Sequence, residues 1–282
     1  RGYKKIITVP KKKLNLLDQK KVEKFLKIKK PKIVIIAAAK VGGILANKNF
    51  KANFIYENLT IQSNIIHSSY LSGVKNLIFL GSSCIYPKKT KQPIKENYFM
   101  TGTLEETNDA YAIAKIAGVK MCMEYSKQYK LNYKTLMPAN MFGSNDNYDL
   151  KTSHFFPALI KKIHLAKISN KKTVTLWGNG KPKRELLYVE DFADACVFFM
   201  RKKTKENFIN IGSGVEKSIK EFAKYIMKKL NINLKIKYDL SKPNGMQRKK
   251  LDLTIANKYG WKAKTKLDES FKKVYLEYLK LK

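Results

Sequence analysis

Asn76-Leu77-Ile78-Phe79-Leu80-Gly81-Ser82-Ser83-Cys84-Ile85-Tyr86-Pro87 decides how this 282-residue chain is read. The apolar run up to Gly81 is short, uninterrupted and closed by a turn signal, the pattern of a parallel strand covered on both faces. Ser82 and Cys84 therefore fall at the strand's carboxyl end, where open α/β sheets place their ligands. Downstream, Tyr111 and Lys115 stand four residues apart in a stretch, 111–129, rich in helix formers, with Asn108 or Asp109 placed to cap its start. Positions i and i+4 share one helix face, so the phenol and the ammonium point into one cleft.

A free tyrosine, with a pKa of about 10, exchanges protons poorly at neutral pH. A unit positive charge about 4 Å away, at an effective dielectric of about 20, favours the phenolate by about 4 kcal/mol. That is enough to bring the phenol to a pKa of about 7. With Ser82 donating to a carbonyl oxygen, this is the equipment for reducing a ketone with a nicotinamide. The spacing alone is weak: Tyr-x-x-x-Lys occurs at Tyr111, Tyr225, Tyr238 and Tyr278, and composition alone yields about three matches. Tyr111 is set apart by its place at a helix start after the Ser-rich strand end; the other three read as surface or packing residues.

Working outward, 4–9 is a β-rich run, 19–29 is helix-like and ends before Pro31, and 33–38 is an apolar strand followed by the turn Lys40-Val41-Gly42-Gly43. Residues 53–72 have helical spacing, 135–138 is a further strand, and this βαβα order predicts an α/β fold with a doubly wound parallel sheet. Past Gly143 the pattern gives helices at 155–167, 190–200, 217–230 and 267–280, and strands at 174–177, 207–211 and 234–238. The expected division is 1–143 with about 184–213 as a dinucleotide-binding domain, and about 144–183 with 214–282 as a smaller α+β substrate domain.

The formal charge of +36 would suit nucleic acid or a membrane surface. Of 58 basic residues, however, only Arg1, Arg184, Arg201 and Arg248 are arginines, whereas nucleic-acid readers favour Arg for bidentate contacts. The lysines read as solvated faces, with no nucleic-acid partner. No apolar run is long enough to span a bilayer. Cys84, Cys122 and Cys196 are too few and scattered for a disulfide framework or a metal cluster, which fits a reducing cytosol. His67, His164, Cys122 and Cys196 read as structural.

Ala37-Ala-Ala-Lys40-Val-Gly-Gly43, Leu80-Gly-Ser-Ser-Cys-Ile-Tyr-Pro87, Tyr111-Ala-Ile-Ala-Lys115, Met137-Pro-Ala-Asn140, Thr152-Ser-His154 and Trp177-Gly-Asn-Gly180 together resemble the GDP-L-fucose synthases, which are extended short-chain dehydrogenase/reductases. The resemblance runs in order along the whole chain. It implies NADPH-dependent 3,5-epimerisation and 4-keto reduction of GDP-4-keto-6-deoxy-D-mannose by a homodimer packed through 53–72 and 111–129. The alternatives are a non-catalytic remnant that keeps the dinucleotide fold, or another nucleotide-sugar epimerase or dehydratase of the superfamily. By resemblance Cys84 and His154 are the epimerising acid/base pair, and Tyr111, Lys115 and Ser82 the reductase group. Lys11 (for the 2′-phosphate), Leu80, Gly81, Ser82, Ser83, Lys115, Pro138, Ala139, Asn140, Met141 and His154 would hold the cofactor; Lys162, Trp177 and Arg184 would hold the GDP-sugar.

The chain departs from that pattern in having Asn244 where the family has Asp, Lys162 where Arg occurs, and no Gly-x-x-Gly-x-x-Gly turn for the pyrophosphate. The resemblance makes the sheet Rossmann-like and lacking its first strand and helix, about 25 residues that would precede Arg1. These 282 residues alone are therefore expected to bind NADPH weakly, and a thermal-shift titration that gave tight binding would refute this.

Overall fold

The computed structural model describes residues 2–281. Its first half alternates as expected: α1 (Gln19–Lys29), β1 (Ile33–Ile36), α2 (Ile44–Asn49), α3 (Lys51–Leu71), β2 (Asn76–Leu80), α4 (Asp109–Tyr129), β3 (Asn132–Pro138) and β4 (Asn140–Phe142). Next come α5 (Phe155–Ile168), β5 (Thr173–Trp177), β6 (Lys183–Tyr188), α6 (Val189–Arg201) and β7 (Phe208–Ile211). The chain closes with β8 (Glu216–Ser218), α7 (Ile219–Lys229), β9 (Lys235–Asp239), β10 (Arg248–Lys249), α8 (Thr254–Lys258) and α9 (Leu267–Lys280).

Four strands form a parallel sheet in the order β1-β2-β3-β7. Ile35 lies opposite Ile78, Phe79 opposite Thr135 and Met137 opposite Asn210. Parallel pairing requires crossovers that cover the sheet, and Leu77, Ile78, Phe79, Leu136 and Met137 are fully buried beneath them. Helix α4 lies close against β2. A Cβ at Gly118 would stand 2.6 Å from the Phe79 ring and 2.8 Å from Gln62 of α3, and Gln62 also donates to the Ala114 carbonyl of α4.

A second core gathers Phe156, Ile160, Leu176, Phe222, Ile226 and Phe271. Beside it run the sheet β10-β6-β4, with β8 antiparallel on β6, and the parallel pair β5-β9. Leu251, Ala256 and Trp261, from the last part of the chain, pack into the first core. Among the described residues no helix is long and apolar enough to cross a membrane.

The β-rich run 4–9 is not a strand. Ile6 and Ile7 are 73% and 49% exposed, and among the described strands none pairs with this segment. β-propensity reflects packing on a pleated surface and has no effect without one. Strands β4, β6, β8 and β10 and helices α2 and α8 are additions to the expected set. The Lys-Arg-Glu opening of β6 hides its period, and α2 is too short for helical spacing to register.

Gly118→Val places two methyl groups where the Phe79 ring already stands, so overpacking is expected to cost about 1–3 kcal/mol. Urea unfolding monitored by circular dichroism reads it as a lower midpoint at unchanged slope.

Candidate active site

The site grows out of the carboxyl end of β2. The Gly81 amide donates to the Leu136 carbonyl at 2.9 Å, and a Cβ at Gly81 would stand 1.4 Å from the Met137 methyl. Extended Ser82 then opens a single 3-10 turn, Ser83–Ile85, with its Oγ accepting from the Cys84 amide at 3.4 Å. The first turns of α4 meet this segment. Ser82 and the Cys84 sulfur are the groups that act on the Tyr111 phenol. One turn on, the Lys115 side chain is buried, and its Nζ donates to the Leu80 carbonyl at 2.9 Å. That Nζ lies 4.6 Å from the Phe79 ring centroid and 5.8 Å from that of Tyr111.

The electrostatics correct one expectation. Burial pushes the Tyr111 phenol well above its ordinary range, with only Ser82 pulling it down. The Lys115 charge does not offset that burial, and its ammonium is bonded to the Leu80 carbonyl. Burial likewise lowers the Lys115 ammonium to about 8. Both groups therefore hold their protons at neutral pH. The buried Cys84 thiol is raised by desolvation, against the opposing charges of Lys249 and Lys115.

His154 precedes α5 as its N-cap, and its side chain makes no capping hydrogen bond. Open to solvent on one side and crowded on the other, it is held below the usual imidazole range by desolvation and by the charge of Lys249. One lysine thus acts on both Cys84 and His154, although helix α5 and strand β2 belong to different cores. Lys249 itself is lowered to about 8 by desolvation, with Arg184 adding to the effect. Sequence reasoning missed it: among 58 basic residues nothing singles it out, and only the pairing of β10 with β6, which sets Lys249 opposite Arg184, reveals its place.

Arg184 donates to the Met246 carbonyl at 2.6 Å and to its neighbour Lys183 at 2.8 Å, and burial lowers it to about 10. Glu185 was also missed. Fully buried, it accepts from the Gly214 amide at 2.8 Å and the Leu251 amide at 2.9 Å. Lys162 donates to the Thr175 carbonyl at 3.1 Å, and its Nζ sits 5.2 Å from the Trp177 ring centroid. Asn244 accepts from the Asn179 amide at 2.8 Å, anchoring the turn after Trp177. Segments 80–83 and 138–141 leave adjacent strand ends, since Leu80 is in register with Leu136; Asn140 there donates to the Glu185 carbonyl at 3.2 Å. Lys11 lies in the exposed turn 11–13 and makes none of these contacts.

Residues 3–212 match the model of the NAD dependent epimerase/dehydratase family. The chain belongs to this family of extended short-chain dehydrogenase/reductases. It is 48% identical to a GDP-L-fucose synthase of Sinorhizobium fredii, over 97% of this chain and 87% of the relative. A solved GDP-6-OMe-4-keto-L-xylo-heptose reductase from C. jejuni superposes with a TM-score of 0.92 at 32% identity, covering 100% of this chain and 92% of that one. A GDP-L-fucose synthetase from Naegleria fowleri bound to NADP gives a TM-score of 0.87 at 26% identity, over 97% and 85%.

Because the Lys249 charge depresses both the Cys84 and the His154 pKa, Lys249→Met should raise both. The imidazole then becomes protonated at higher pH than in the parent, and the thiol yields thiolate only at higher pH. Ring-proton NMR titration of His154 and the pH dependence of Cys84 alkylation measure the two effects.

Proposed function

We propose that the chain catalyses NADPH-dependent 3,5-epimerisation and 4-keto reduction of GDP-4-keto-6-deoxy-D-mannose to GDP-L-fucose. The observation that carries this reading is the gathering of Ser82, Cys84, Tyr111 and Lys115 at one strand end, with Lys249 acting on both Cys84 and His154. The likeness to proteins named as GDP-L-fucose synthases supports the choice of substrate.

A C4 ketone acidifies the hydrogens at C3 and C5, so epimerisation needs one group to take a proton and another to return one on the opposite face. At neutral pH the raised thiol of Cys84 holds a proton and the lowered imidazole of His154 has a free lone pair. The two are complementary before substrate arrives. Ser82 donates to the C4 oxygen, stabilising the enolate. Tyr111, kept protonated by burial, gives its proton to that oxygen as the alkoxide forms.

NADPH, when bound, supplies the hydride to C4. The residues present suit its nicotinamide ribose: an ammonium has three donors, of which Lys115 commits one to Leu80, leaving others for ribose hydroxyls. Segments 80–83 and 138–141 and His154 would line the nicotinamide half, and Lys11 would meet the 2′-phosphate. Arg184, Lys249 and Lys162 supply positive charge for the diphosphate, and Trp177 a flat surface. The same reading includes a cytoplasmic homodimer through α3 and α4, where Tyr56 and Ile113 remain exposed.

With saturating NADPH and the keto-sugar in deuterated water, Cys84→Ser is expected to suppress deuterium uptake at C3 and C5 by about 10²–10⁴-fold, more than it slows NADPH oxidation. Tyr111→Phe should slow NADPH oxidation by a similar factor. Turnover intact in both variants would refute the assignment.

A further inference from the structure

We propose that the Lys40-Val41-Gly42-Gly43 turn is the seat of His154, with Gly43 as a positioning residue for epimerisation. This deepens the function proposed above and rests on it. The Gly43 amide donates to the Thr152 carbonyl at 2.8 Å. A Cβ at Gly43 would lie 2.7 Å from the Ser153 carbonyl oxygen and 3.2 Å from that of Thr152. Gly43 has φ −67 and ψ 179, a conformation open to any residue. The position thus depends on the missing side chain and not on backbone freedom. The contact lands on the two residues immediately before His154.

Both sides of this contact are braced. On the turn, Asn47 donates to the Gly42 carbonyl at 2.7 Å and to the Gly43 carbonyl at 3.1 Å. Asn58 of α3 accepts from the Lys40 amide at 2.9 Å and donates to the Lys40 carbonyl at 3.0 Å. On the facing segment, Asp149 Oδ1 accepts from the Lys151 amide, the Thr152 amide and the Thr152 hydroxyl, each at 2.9 Å. The Ser153 amide donates to the Asp149 carbonyl at 2.8 Å. Two rigid turns, one attached to the parallel sheet and one leading into α5, therefore meet through a backbone contact with no space for a methyl group. The His154 ring makes no capping hydrogen bond, so its position is inherited from this backbone.

The test is Gly43→Ala in the full chain. His154 is one of three histidines, and His154→Gln identifies its ring signal. The expected result is a displaced His154 ring resonance with those of His67 and His164 unchanged. Deuterium uptake at C3 and C5 should fall by about tenfold to a hundredfold, while NADPH oxidation by the keto-sugar falls far less. General loosening of the fold would lower both rates together, and that outcome, or an unmoved His154 signal with a parental ratio of exchange to reduction, overturns the proposal. If Gly43→Ala does not fold, Asp149→Ala releases the facing turn from the other side and the same readings decide. A parent chain that neither exchanges nor reduces defeats the proposed activity, while the ring signal still tests the seat.

Discussion

The Lys115 ammonium on the Leu80 carbonyl is the contact around which the site is arranged. A charge taken out of water must be repaid by close partners, and this one is met by a backbone oxygen at the end of β2 and by the Phe79 ring. For the side chain to reach that oxygen, α4 must lie almost on the strand, which is why residue 118 has no side chain. The same approach lowers Tyr111, one turn earlier on α4, onto Ser82. Helix, strand end and phenol are thus placed by one distance of closest approach.

Burial has two consequences for chemistry. It keeps the phenol and the thiol protonated. It also weakens the hold of the Lys115 and Lys249 ammoniums on their own protons, at about 8 in each case. A cluster of lysines in a low-dielectric setting therefore acts as an adjustable source of positive potential and not as a fixed one. The Lys249 charge falls on Cys84 and His154 together, so the two groups respond jointly to anything that changes it.

The two cores are joined by polar ties as well as by chain crossings. The Glu185 carboxylate is buried but accepts from two backbone amides, one in the turn after β7 and one just after β10. It is next to Arg184, which reaches across to the Met246 carbonyl. Together with the Gly43–Thr152 contact, these ties hold the second core in register with the end of the parallel sheet. The excess of positive charge has little part in this architecture: apart from a few residues such as Lys115, Lys134 and Lys249, it is spread over solvent-facing lysines.

By itself the sequence determined the parallel sheet, the ends of β2 and α4, and the shared helix face of Tyr111 and Lys115. These follow from short-range periodicity and from residues close in the chain. It also set Ser82 and Cys84 at the carboxyl end of the strand. The protonation of Tyr111 was decided only by tertiary structure, because desolvation by distant residues outweighed the lysine four positions away. Lys249 was equally invisible, and the sequence showed Gly43 only as part of a turn: their partners lie about 165 and 110 residues away in sequence, and the packing that brings such segments together is the physical content of the fold. The failed strand at 4–9 teaches the same lesson, since a propensity written in the chain takes effect only where a neighbour is present to pair with it.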